Sequence, residues 1–170
     1  MRIIDLQTLY DYSYWANAKL VTPLSRLTPE EFTQRVAGSY GSIRNTLVHM
    51  MSAEGGCLER GGGPKRGEPL KPEEFPTLES MTIYWAAQER KVRAFLAGVS
   101  DEDLLQRRDF TVPLFSFSKV MAVGEILHHA VIHNVHHRGQ VALLLRALGH
   151  EPGNVDMLFY YAERSVGGPT

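Results

Sequence analysis

Five of the seven histidines in this 170-residue chain fall in one stretch: His128, His129, His133, His136 and His137. At 3.6 residues per turn, positions four apart lie almost one above the other on a helix. His129, His133 and His137 therefore form one stripe, which Glu125 extends by a turn, while His128 and His136 fall on other faces. Two imidazoles at i and i+4 converge closely enough to bind one metal ion with bonds of about 2.0–2.1 Å. A third ligand must come from another element. His49, in Leu47-Val48-His49-Met50-Met51, is the only histidine upstream of the stretch and is the candidate. A lone helical histidine is more often a hydrogen-bonded core or surface residue. A cluster interleaved with Ala130, Val131 and Val135 fits a plain solvated patch less well.

The chemistry open to such a site is limited by what surrounds it. Asn134 follows His133, so the HExxH pattern with its general base is missing and a peptidase is disfavoured. Glu54 stands about 140° around the helix from His49, so two histidines and a carboxylate do not converge. Three neutral imidazoles leave the charge of a divalent ion intact, with open positions for water or substrate. Such an ion polarises a bound atom or lowers the pKa of a bound water or thiol. Ligand type admits Zn, Ni, Fe, Co or Mn. Cys57 is about 80° around from His49 and reads as a small buried thiol rather than a nucleophile. Glu125 is explained by its place in a first helical turn, with an acid behind His129 as the minor alternative. Arg138 reads as a structural hydrogen-bond donor or ion-pair partner, with a cosubstrate's carboxylate as the alternative. Gly139 inside a helix costs about 1 kcal/mol relative to Ala, and close packing near the site is the expected compensation. Tyr14, Trp15 and Trp85 read as core or interface residues.

The elements that position these residues are helical. Leu6, Tyr10, Ser13, Asn17, Leu20 and Leu24 recur at helical spacing within a first segment from about Ile4 to Arg26. Thr28-Pro29-Glu30-Glu31 opens a short helix that should end before Gly38. A second long helix is predicted after Gly41, capped by Ser42 and running towards Leu58. The Gly- and Pro-rich residues 61–77 read as a long surface loop, without the pattern of a phosphate-binding loop. A third long helix fits Leu78 to Ala97, closed by Gly98. Ser100-Asp101-Glu102-Asp103 reads as another helix start. Between Arg107 and Met121 the pattern changes to a short hairpin, near residues 107–120, or an irregular cover over one end of the helices. The fourth long helix runs from about Val123 to Leu148, and a last short one from Val155 to Arg164. The predicted fold is all-α: an up-down four-helix bundle with short extra helices, in a single domain over residues 1–170.

Composition narrows the setting. An apolar fraction of 44% and a charged fraction of 22% are ordinary for a soluble globular domain. A net charge of -1 gives no reason to expect nucleic acid or an acidic membrane as partner. The single cysteine excludes an intrachain disulfide and fits a reducing compartment. Asp5 and Gln7 break any signal-peptide core, and no apolar run approaches the roughly 18 residues of a membrane span. The expected location is the cytoplasm.

His133-Asn134-Val135-His136-His137-Arg138-Gly139-Gln140 resembles the closing signature of the DinB/YfiT-like superfamily. Tyr14-Trp15-Ala16-Asn17 with Leu20 is similar to that family's first helix, and Leu47-Val48-His49-Met50 to its ligand site on the second. Arg138-Gly139-Gln140-Val141 through Leu148-Gly149 looks like its long final bundle helix. The resemblance covers about residues 1–150. It implies a DinB-type four-helix bundle, commonly homodimeric, with one divalent metal ion held by His49, His133 and His137. It thereby selects this trio over His129 or His136 and gives His129 no fixed role; His129, Glu125 and Arg138 remain candidates to line the pocket or to hydrogen-bond the ligands from behind. It further implies a metal-dependent enzyme that activates a low-molecular-weight thiol cosubstrate for S-transfer to a small molecule. A metal-dependent hydrolase, or a non-catalytic metal-binding stress-response protein, are the alternatives. An open coordination position favours catalysis, and a fourth protein ligand a structural ion.

Overall fold

Helix boundaries follow the local chemistry closely. A computed structural model of the chain describes residues 1–37 and 39–166; Gly38, before which the short second helix is predicted to end, lies outside the described residues. Helix α1 spans Ile3–Leu24 and stops one residue after Pro23. Helix α2 is the short Pro29–Thr33, where Thr28 Oγ1 accepts from the Glu31 N–H at 3.2 Å and Glu31 Oε2 accepts from the Thr28 N–H at 2.9 Å. Helix α3 spans Ile43–Arg60, its N-terminus capped by Ser42 Oγ on the Asn45 N–H at 3.0 Å. The loop beyond it contains one 3-10 turn, Pro72–Glu74. Helix α4 spans Leu78–Ala97, as its periodicity and the following Gly98 predict.

The segment after α4 departs from expectation in one respect. Ser100 and Asp103 do exchange the reciprocal hydrogen bonds of a helix start, at 2.9 and 3.2 Å. Only a 3-10 turn at Asp103–Leu105 follows, because the chain is already extended at Arg107. The hairpin consists of β1, Arg107–Val112, and β2, Phe117–Ala122. They pair antiparallel from Arg107↔Ala122 to Val112↔Phe117, joined by a 3-10 turn at Pro113–Phe115 and by Ser116 in the left-handed region. Helix α5 spans Val123–Ala147, and α6 spans Met157–Val166, starting two residues later than predicted. The described residues are thus mainly helical with one small sheet.

Helix α3 packs most extensively against α5, while α1 packs against α5 and α4, and α4 also meets α3. Each of these four helices reads apolar, polar, apolar along its length. One apolar cluster gathers Leu6 and Tyr10, Leu58, Leu96, Ile126 and Leu127. The other gathers Leu20, Leu47 and Met51, Trp85, Val141 and Leu145. Between them along the chain come Ser13 and Asn17 of α1, Glu54 of α3, Gln88 of α4, and Asn134 and Arg138 of α5, all buried. Buried polar groups must be hydrogen-bonded to be tolerated. Arg138, 1% exposed, donates through Nη1 to Ser13 O at 3.3 Å, Ser13 Oγ at 3.0 Å and Asn17 Oδ1 at 3.0 Å. Glu54 Oε1 accepts from Asn134 Nδ2 at 3.1 Å, and Oε2 from Gln88 Nε2 at 2.5 Å. Gly139, by contrast, has no heavy atom within 4 Å of where a Cβ would stand. The close packing expected to offset its helix cost is not found within the described chain.

Burial raises the Glu54 carboxyl from 4.5 to about 7, against the opposing pull of the Gln88 hydrogen bond and the Arg138 charge. Between those values the folded chain keeps a proton that the unfolded chain has lost. The stability this contributes is present below pH 4.5 and is lost as pH rises through 7. Glu54→Gln stays neutral throughout. Between pH 5 and 8 the wild-type protein should therefore lose roughly 2–3 kcal/mol relative to this variant in urea unfolding. Parallel stability profiles would contradict a buried, protonated Glu54.

Candidate metal centre

The close packing of α3 on α5 brings His49 opposite His133 and His137. Their ring nitrogens meet: His49 Nε2 lies 2.9 Å from His133 Nε2, which lies 3.0 Å from His137 Nε2. Each of the three offers one ligand atom, and all three atoms lie within 4.8 Å of one another. Two nitrogens bound to one ion at about 2.0–2.1 Å are separated by about 3 Å. A neutral imidazole nitrogen carries either one proton or one lone pair. His133 Nε2 faces two such nitrogens at once, and a single N–H···N bond serves only one of them well. A cation among the three lone pairs serves all of them, so the donor set fits a divalent metal.

The surroundings favour neutral rings, and at His137 they also set which nitrogen keeps the lone pair. Gln140 Oε1 accepts from His137 Nδ1 at 2.6 Å, which leaves the lone pair of His137 on Nε2. Gln140 is itself held, accepting from Ser39 Oγ at 2.7 Å and donating through Nε2 to His136 Nε2 at 3.1 Å. Burial, then the neighbouring imidazoles with His137 first, lower His133 from 6.5 to about 3. Burial and His137 lower His49 to about 4. Burial also lowers His137, against the Gln140 hydrogen bond that raises it. The Tyr40 ring stacks on His49 with centroids 3.7 Å apart and meets His137 edge-on at 5.5 Å.

His49 and His133 form part of the wall of a cavity of about 690 Å³. The hairpin covers it with Phe110, Phe115 and Phe117, and α3 contributes Ser52 and Cys57. His129 lines this cavity, its ring edge-on to Phe110 at 6.0 Å and 5.7 Å from His133, outside the converging trio. Cys57 also lines it; burial pushes its thiol up to about 12, so it stays protonated at neutral pH. Glu125 does not turn towards His129. Its Oε2 accepts from the Ala122 N–H at 2.7 Å, at the start of α5. Arg138 faces α1 rather than the cavity. Glu54 lies in the buried polar layer, as its angle from His49 requires. Tyr40 and Gln140 were not expected from sequence. Gln140 follows His137 by three positions, a spacing that does face along a helix, whereas Tyr40 lies in a loop with no periodic signal.

The family model described as DinB family matches residues 4–165. The chain belongs to the DinB family. Protein DinB of Bacillus subtilis (strain 168) is 26% identical over 159 residues, covering 89% of this chain and 91% of the relative. The uncharacterized protein YizA of the same organism is 23% identical over 147 residues, covering 86% and 90%. Among solved structures, a DinB-like protein from Bacillus cereus superposes with a TM-score of 0.72 at 23% identity, over 91% of this chain and 98% of that one. A conserved protein from Enterococcus faecalis gives 0.60 at 17% identity, over 82% and 94%. These two likenesses show a shared fold.

The three rings make a prediction for the metal-free DinB-family protein. Imidazole nitrogen NMR should find His49 and His133 still neutral at pH 5.5, titrating near 4 and 3. Midpoints at the ordinary 6.5 would show rings open to water instead of gathered at a common point.

Proposed function

We propose that this DinB-family protein is a metal-dependent enzyme of S-transferase type, in which His49, His133 and His137 hold one divalent transition-metal ion. The observation that carries this reading is the convergence of three imidazole Nε2 atoms beside a cavity large enough for a small molecule. Among the described residues, no carboxylate or cysteine joins the trio, so the ligand set leaves positions open to the cavity. A bound Zn, Ni, Fe, Co or Mn ion supplies Lewis acidity, lowering the pKa of a thiol or water that reaches it. The chain's own residues orient and cover. Gln140 fixes the His137 tautomer, Tyr40 covers His49, and the aromatic hairpin lines the cavity with Phe110, Phe115 and Phe117. Cys57, held protonated, leaves a free low-molecular-weight thiol cosubstrate as the nucleophile. Among the described residues, no aspartate or glutamate lines the cavity, which favours transfer over hydrolysis assisted by a carboxylate base.

The same reading completes the architecture. The four long helices form an up-down bundle in a single domain over residues 1–170, working in the cytoplasm as a homodimer. Two observations support this. No helix among the described residues is long and apolar enough to cross a membrane. Ile132, Val135 and Leu143 are exposed on α5 near Gly139, which has open space around it; a second copy packed there supplies the close approach that a glycine permits.

Metal analysis of the purified protein beside His137→Ala tests the centre. The wild-type chain should carry about one ion, and the variant should lose more affinity than the roughly 10–100-fold that follows removal of an outer-shell partner. Equal metal content in both overturns the ligand assignment. The metal-loaded protein should then conjugate low-molecular-weight thiols to a generic electrophile, and chelation should abolish the reaction. Stoichiometric metal without any conjugation supports a non-catalytic metal-binding protein instead.

A further inference from the structure

Helix α3 carries two consecutive glycines, Gly55 and Gly56, in its interior, where glycine is unfavourable. The structure shows what occupies the space above Gly56. A Cβ there would stand 2.7 Å from Arg60 Nη1 and 3.1 Å from Arg66 Nη1, so two guanidinium groups meet over its bare backbone. Arg60 comes from the end of α3 and donates through Nη1 to Gly56 O at 3.0 Å, with its guanidinium over the Phe110 ring at 5.6 Å. Arg66 comes from the loop and donates through Nη1 to Ser52 O at 2.7 Å and Ser52 Oγ at 3.1 Å. Each arginine is thus anchored by one nitrogen. Among the described residues, no carboxylate lies within 4.0 Å of either. Both line the cavity that His49 and His133 also line, and the hairpin wall between them is apolar.

Two like charges held together beside an apolar cavity repel one another unless an anion joins them. Guanidinium forks suit the two oxygens of a carboxylate or phosphate. We infer that Arg60 and Arg66, meeting over Gly56, form an oxyanion subsite of the cavity. The small molecule bound there carries a carboxylate or phosphate on an otherwise apolar body. Its anionic end rests on the arginine pair, its apolar part lies under Phe110 and Phe115, and its remaining end points towards the histidine trio. Gly56 is a positioning residue for the pair. This assignment rests on the proposed function for what happens at the histidines, but the subsite itself does not need the metal.

The test is therefore a binding measurement that can be made with and without metal. 4-Phenylbutyrate, phenyl phosphate and the neutral 4-phenylbutyramide are titrated into the full chain by calorimetry. At least one of the two anions should bind about tenfold or more tightly than the amide, and the preferred one assigns the oxyanion. The preference should weaken on adding salt, survive in His137→Ala and disappear in Arg66→Gln and in Arg60→Gln/Arg66→Gln. Thermal unfolding of each variant verifies that it folds, and Arg66→Lys, which keeps the charge but loses the fork, should retain only part of the preference. Equal affinity for acid and amide, a preference that survives the double substitution, or no saturable binding of either anion overturns the subsite. Loss of metal in His137→Ala with the anion preference intact separates this result from the fate of the metal assignment.

Discussion

The buried hydrogen bond from Asn134 to Glu54 sets the register on which the rest of the structure depends. It links α5 to α3 at 3.1 Å between the two apolar clusters. Apolar contacts alone tolerate small slips between helices, whereas an unpaired buried carboxyl or amide costs heavily. Asn134 adjoins His133 in the chain, and Glu54 stands a little over one turn beyond His49. Holding this pair together therefore holds His49 opposite His133. Arg138 does the same between α5 and α1 through Ser13 and Asn17. The polar layer defines how the helices align, and the histidines sit beside it.

The cavity divides its chemistry by position. At one side, burial and mutual repulsion keep the His49 and His133 imidazoles neutral, and the Gln140 hydrogen bond leaves the His137 lone pair on Nε2. At the other, the arginines supply positive charge, anchored by backbone carbonyls of α3. The hairpin covers the space between with aromatic rings and adds no acid.

What could be read from sequence was what repeats locally. The ends of α3, α4 and α5 follow from Ser42, from Gly98 and from the apolar rhythm between them, because capping and helical spacing are short-range. The i, i+4 spacing of His133 and His137 belongs to the same class, and so does the angle that keeps Glu54 away from His49. His49 is the candidate third ligand from sequence as the only histidine upstream, but selecting the trio with His133 and His137 over His129 or His136 required a resemblance to known proteins, since spacing within one helix does not define which of its residues another helix faces. Tyr40 and Arg66 reach their places from loops, where no periodicity marks direction. The role of Glu54 depends on Asn134 and Gln88, which come from two other helices. Ser100-Asp103 shows the converse: its start signal is real, yet one 3-10 turn follows because the hairpin claims the chain at Arg107.

The central claim is that three imidazoles, and no other side chain, hold the ion. X-ray absorption of the zinc-loaded protein measures this directly. The expected spectrum has three imidazole nitrogens at about 2.0–2.1 Å, completed by light atoms from outside the chain, and is unchanged in His129→Ala. A sulfur neighbour at about 2.3 Å, which only Cys57 or a methionine can supply, or fewer than three imidazoles, would contradict it.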